Sequence, residues 1–138
     1  MLTLQHVTIN TKDVDKSTTF YEEVFGFKKT ERPNFPFPGA WLWIEPERTM
    51  LHLQNTDLLT GSRYSSVDHI ALDASYPGKD IILEYERWCD FLMSIRYEWD
   101  LDYMFKSFDP TEFLQIFITD PINSVKWELN FPIEKLQR

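Results

Sequence analysis

Cysteine is nearly absent. Cys89 is the single one, so no disulfide can close within the chain, and a reducing compartment is expected. It sits in the apolar, helix-like stretch Trp88 to Met93 and reads as a packing thiol rather than a nucleophile. Clusters of Lys and Arg are missing too. With 14 basic against 22 acidic residues the net charge is -8, which repels a phosphate backbone, so no nucleic-acid partner is expected. No apolar run approaches the roughly 18 residues that mark a membrane span. The opening Met1-Leu2-Thr3-Leu4-Gln5-His6 has neither the basic nor the apolar region of a signal peptide. A cytoplasmic protein with no membrane partner is therefore expected. Histidine is also scarce, with only three.

What is present suits a folded domain. At 138 residues the chain is long enough for one domain with its own core, and a 16% aromatic share implies a large apolar interior or pocket. The sequence repeats itself. Leu4-Gln5-His6-Val7-Thr8-Ile9-Asn10 and Val67-Asp68-His69-Ile70-Ala71-Leu72-Asp73 both alternate apolar and polar residues and carry a histidine at the same point.

A helix follows each of these strands. In the first half Asp13 is its cap, Val14, Phe20, Tyr21, Val24 and Phe25 fall on one side, and Gly26 stops it. In the second half Pro77-Gly78 breaks the chain, and Ile81, Ile82, Tyr85, Trp88, Cys89, Leu92 and Met93 recur at helical spacing. Strand-like runs come next: Phe27 to Glu31, Ala40 to Ile44 and Met50 to Gln54, then Tyr97 to Phe105, Phe113 to Thr119 and Val125 to Phe131. Each half is thus a βαβββ module, module 1 over residues 1–55 and module 2 over 67–138, joined by a polar linker at 56–66. A lone module would leave one sheet face bare, so the two are expected to pair within a single α+β domain of residues 1–138.

The chemistry-bearing residues occupy matched places in the repeat. His6 and His69 stand in the opening strands, and His52 and Glu128 in the last strands of the two halves. If the halves pack about an approximate two-fold axis, two equivalent pairs converge and supply four ligands. Imidazoles with one carboxylate suit a divalent Ni, Zn, Mn, Fe or Co ion. A carboxylate between Trp127 and Leu129 is costly if it faces a core unpaired, and a metal removes that cost.

These landmarks resemble the vicinal oxygen chelate superfamily of glyoxalases, bleomycin-resistance proteins and extradiol dioxygenases. His6-Val7-Thr8-Ile9-Asn10 through Asp13, Phe20-Tyr21 and Phe25-Gly26-Phe27 resembles its opening motif. Asp68-His69-Ile70-Ala71-Leu72, Asp120-Pro121 and Trp127-Glu128-Leu129-Asn130-Phe131 follow in its order. The run Arg32 to Leu42 with Leu51-His52-Leu53 resembles a glyoxalase-like subgroup. The resemblance implies a U-shaped incomplete barrel built from the two modules. It implies His6, His69 and Glu128 as metal ligands, with His52 where glyoxalases place a fourth. One motif departs: the turn from Asp120 to Ser124 lacks the usual glycine, and Asn123 is expected to take the left-handed conformation instead. The second half is longer, through Ser75-Tyr76-Pro77-Gly78 and the acidic and aromatic stretch Tyr97 to Asp109, and the resemblance carries no substrate contacts over to it.

The resemblance implies a metal-dependent isomerase or lyase of glyoxalase type, with Glu128 as the proton carrier. The expected pocket is lined by Arg32, Phe35, Phe37, Trp41, Trp43 and Gln115, with Arg32 suited to a substrate carboxylate or phosphate. Two alternatives stand beside it. An extradiol-type dioxygenase shares the metal set, but only His52 is left over for its acid–base work. An antibiotic-sequestering resistance protein uses the same cleft without catalysis. Exposed sheet edges lead us to expect a homodimer.

Overall fold

Period-two alternation becomes two sheets of identical topology. The computed structural model describes residues 3–55, 67, 69–107 and 113–132; the linker 56–66 expected from the sequence lies outside them. The chain divides into two compact units, Met1–Tyr64 and Ser65–Arg138. Among the described residues, no helix is long and apolar enough to cross a membrane.

The first unit runs β1 (His6–Thr11), α1 (Val14–Phe25), β2 (Lys28–Thr30), β3 (Gly39–Glu45) and β4 (Thr49–Asn55). Its sheet has the order β1-β4-β3-β2, with β1 parallel to β4 and the other pairs antiparallel. Asp13 caps α1 by accepting from the Lys16 N–H, and Gly26 ends it at φ 71°, a left-handed geometry that glycine adopts without strain. One face of the sheet is apolar. Ile9, Ala40, Leu42, Leu51 and Leu53 are buried there with Phe20, Tyr21 and Val24 of α1, each large side chain stabilising by about 1.5–3 kcal/mol. Thr11 Oγ1 meets Ser17 Oγ at 2.9 Å and ties the strand to the helix. Alternation then sends His6, Thr8, Trp41 and His52 to the opposite face.

The second unit repeats this as β5 (Ile70–Asp73), α2 (Ile81–Ile95), β6 (Asp102–Ser107), β7 (Phe113–Thr119) and β8 (Lys126–Pro132), with sheet order β5-β8-β7-β6. Ile116, Ile118, Trp127, Leu129 and Phe131 are buried on one face, as are Ile81 and Leu92 of α2. The Tyr85 ring meets Phe131 edge-on at 5.4 Å. Both units are open four-stranded mixed sheets with one helix, so the fold is α+β with two βαβββ modules.

Four details differ from expectation. Ile82 and Met93 of α2 are exposed, at 46% and 45%, because the helix buries a narrower stripe than its apolar composition suggests. Tyr97 to Leu101 is a turned connection rather than strand: Trp99 and Leu101 N–H groups bond back to Ile95 and Arg96, and Asp100 has φ 49°. In the β7–β8 turn Ser124, not Asn123, takes positive φ, at 60°. Asp120 organises the turn: its Oδ1 accepts from the Ile122 and Asn123 N–H groups and its Oδ2 from Asn123 Nδ2, which ties Asn123 back to it and leaves the positive φ to the next residue. Finally, β5 begins at Ile70, so His69 stands just before the strand rather than inside it.

Candidate functional site

Each unit brings together one pair of the expected ligands. In the first, His6 and His52 stack at 4.2 Å between ring centroids and 14° between planes. Trp41 covers the other side of His52 at 4.2 Å and 4°, giving a three-ring stack across β1, β4 and β3. His6 Nδ1 bonds Gln5 Oε1 at 3.0 Å, the tautomer that leaves the lone pair on Nε2. Among the described residues, His52 Nε2 is buried without a hydrogen-bond partner. Desolvation, then the neighbouring His6 and Arg32, pushes the His52 pKa below its ordinary value and favours the neutral ring that coordinates metals.

In the second unit, His69 Nε2 lies 3.5 Å from Glu128 Oε2. Glu128 is buried at 7% exposure, and Gln115 Nε2 donates to its Oε1. Phe117, the cross-strand partner of Glu128, presents its ring edge-on to His69 at 5.9 Å. His52 and Glu128 hold the same place in their sheets: His52 pairs with Thr8 and Glu128 with Ala71, each two residues beyond the corresponding histidine. Among the described residues, neither unit by itself gathers three His, Cys, Asp or Glu side chains about one point.

By chemical type, these donors suit a divalent metal. A buried imidazole nitrogen with no partner is a cost that coordination removes, and the donor types, imidazole and carboxylate, are those of first-row dications.

Of the remaining expected residues, Trp41 stacks on His52 and the Arg32 charge acts on it, whereas the cleft that Arg32, Phe35 and Phe37 border is lined by neither His6 nor His52. Arg32 lies over Phe35 and Phe37, 4.9 Å from each ring centroid, and donates to the Phe37 carbonyl at 3.0 Å. These rings are 41% and 39% exposed and border an open cleft of about 720 Å3 with Asn34, Gly39 and Asn55. Trp41 stands 6.3 Å from Phe35. Trp43 pairs with Met50 on β4 and Lys28 on β2. Gln115 belongs instead to the second pair, through Glu128.

Sequence reasoning missed a second cleft, of about 320 Å3, lined by His69, Tyr103, Met104, Lys106, Phe117 and Lys126. Lys106 Nζ sits 5.1 Å over the Phe117 ring. The expected strand Tyr97 to Phe105 stopped one residue short of Lys106; alternation through Met104 was the signal that could have found it.

Two open βαβββ modules, each carrying one of the expected residue pairs on the sheet face away from its helix, define a two-module α+β protein. The chain belongs to the Glyoxalase/Bleomycin resistance protein/Dioxygenase superfamily, whose model matches residues 3–80. No curated protein matches it by sequence. Among solved structures, the fosfomycin resistance protein FosX of Listeria monocytogenes aligns with 100% of this chain and 98% of its own, at TM-score 0.72 and 16% identity. A FosX glutamate-to-glutamine mutant, complexed with manganese(II) and a dihydroxypropylphosphonic acid, aligns with 100% of this chain and 99% of its own, at TM-score 0.68 and 14% identity. Lactoylglutathione lyase from Agrobacterium tumefaciens aligns with 94% of this chain and 93% of its own, at TM-score 0.61 and 17% identity.

Proposed function

We propose that this protein is a divalent-metal-dependent enzyme of glyoxalase type, acting as an isomerase or lyase on a small substrate with vicinal oxygens. His6, His52, His69 and Glu128 are the ligands, and residues 1–138 act as one functional domain. The observation that carries this reading is the buried, unpartnered Nε2 of His52 at the sheet position that Glu128 holds in the other unit. When bound, the ion polarises the vicinal oxygens and lowers the energy of enediolate-type charge. Glu128 takes the substrate proton at its carboxylate and returns it to the neighbouring carbon, while Gln115 holds the other carboxylate oxygen in place. Arg32 meets an anionic group of the substrate, and Phe35, Phe37, Trp41 and Trp43 wall its apolar part. The working form is a homodimer.

The test begins with metal-stripped protein reconstituted with Ni, Zn, Mn, Fe or Co and assayed for bound metal per chain. Ketoaldehyde–thiol adducts and catechols are then screened as substrates. Stoichiometric metal with turnover of a ketoaldehyde adduct supports the proposal, and a chain that takes up none of these ions overturns it.

A second reading is resistance to a small antibiotic through the same residues. It is favoured by the full-length likeness to FosX, which is described as a fosfomycin resistance protein. Fosfomycin consumption by the reconstituted protein, without action on ketoaldehyde adducts, would select it; tight fosfomycin binding without metal would select sequestration.

A further inference from the structure

Lys106 stands on β6, the edge strand of the second sheet, across from Gln115 of β7. Alternation puts it on the same face as Gln115, Phe117 and Glu128, away from the buried Ile116, Ile118, Trp127 and Leu129. A lysine on an edge strand commonly reaches into solvent and blocks pairing with another chain. Lys106 instead folds back along the sheet. Its Nζ lies over Phe117, 5.1 Å from the ring centroid, and the same ring meets His69 edge-on at 5.9 Å. Phe117 is also the cross-strand partner of Glu128. A single ring therefore stands between the ammonium and the His69–Glu128 pair.

The charge is uncommitted. Among the described residues no carboxylate lies within ion-pairing distance of Lys106. Asp102, the acidic residue lining the same cleft, is four residues away along β6, about 13 Å of extended strand. Lys126, which also lines it, is engaged with a partner of its own. An aromatic face satisfies an ammonium only in part and leaves N–H donors for the oxygens of a ligand. In a chain of net charge -8 this unpaired cation is a local exception, and it favours an anion at that end of the cleft. The volume of about 320 Å3 is at the lower end for small-molecule sites and suits a short ligand. Arg32 opens onto a cleft that neither His6 nor His52 lines, whereas Lys106 shares its cleft with His69.

We propose that Lys106 determines specificity by pairing with an acid group, carboxylate or phosphate, that the substrate carries close to its vicinal oxygens, so that the substrate is a short organic anion. The assignment rests on the roles proposed above for His69 and Glu128, and the experiment keeps the two readings apart. Wild type, Lys106→Gln and Lys106→Arg are loaded with Zn(II) and titrated, by ligand-observed NMR, with glycerate, glycerol 3-phosphate and glycerol, which share a vicinal diol and differ in the acid. Zn(II) uptake and thermal melting are recorded for each protein. Lys106 is exposed, so both should match wild type in the variants. Wild type should bind at least one acid about tenfold more tightly than glycerol, and Lys106→Gln should lose that preference, the usual worth of a hydrogen bond to a charged group. Its glycerol binding should not change. Lys106→Arg restores the charge and should keep the acid within about threefold of wild type. The acid whose affinity falls in Lys106→Gln identifies the class, carboxylate or phosphate. A wild type that binds neither acid better than glycerol overturns the proposal, as does a Lys106→Gln protein that keeps the preference or loses glycerol in equal measure. A wild type that takes up no Zn(II) yet prefers an acid through Lys106 overturns the metal reading and leaves the acid site standing.

Discussion

His69 Nε2 stands 3.5 Å from Oε2 of Glu128, while Gln115 engages the other oxygen of the same buried carboxylate. One oxygen is committed to the sheet and the other faces the histidine. Glu128→Gln should therefore keep much of the bound metal, since an amide oxygen still coordinates weakly, yet abolish turnover of any identified substrate. His52→Gln should weaken metal binding and leave measurable activity. Metal content and rate, measured side by side for both variants, check this; an active, metal-loaded Glu128→Gln protein removes the carboxylate from the mechanism.

Two glycines should respond differently to alanine. A Cβ at Gly26 meets nothing within 4 Å, so Gly26→Ala pays only for its φ of 71°, about 1–2 kcal/mol. At Gly39 the Cβ would fall 2.6 Å from the Leu53 carbonyl oxygen and 2.7 Å from Arg32 Nη2. Gly39→Ala must push β3 from β4 and displace Arg32 from its two rings. Urea denaturation should show the larger loss for Gly39→Ala, and equal losses would contradict the close approach.

Asp120 is fully buried and accepts two backbone N–H bonds and one from a side-chain amide. Asp120→Ala leaves those donors without a partner and should cost about 2–3 kcal/mol. Asp120→Asn retains acceptor oxygen and should cost less. Chemical unfolding of the three proteins measures the order; an unchanged Asp120→Ala midpoint would rule out a role for the turn in stability.

The His52 pKa is lowered on folding from its ordinary 6.5. The unfolded chain then binds more protons than the folded one below that value, so His52 contributes stability that is present above pH 6.5 and lost as the pH falls through the lowered folded value. Unfolding of metal-free protein should be easier at pH 5.5 than at pH 7.5. Replacing the ring in His52→Gln should flatten that slope, and an identical slope in both proteins would show that the titration belongs elsewhere.

Much of this protein is written locally. The Asp13 cap and the Gly26 stop of α1 follow from side-chain chemistry within a few residues, and the apolar and polar alternation of β1 and β4 declares which face each residue serves. The repeat itself was legible because both halves solve the same burial problem with the same pattern. That was enough to name His6, His52, His69 and Glu128 as two matched pairs and to place the chain in its superfamily. Tertiary structure decided what lies beside them. That Trp41 faces His52, and Gln115 the carboxylate of Glu128, is a matter of register between strands, set by hydrogen bonds between segments distant in the chain and by the packing of the opposite face. The positive φ at Ser124 and the turned segment after α2 were likewise hidden, because each answers to a partner, Asp120 in one case and the end of α2 in the other, whose position no local pattern encodes. Periodicity assigns a residue to a face; only the folded sheet assigns it a neighbour.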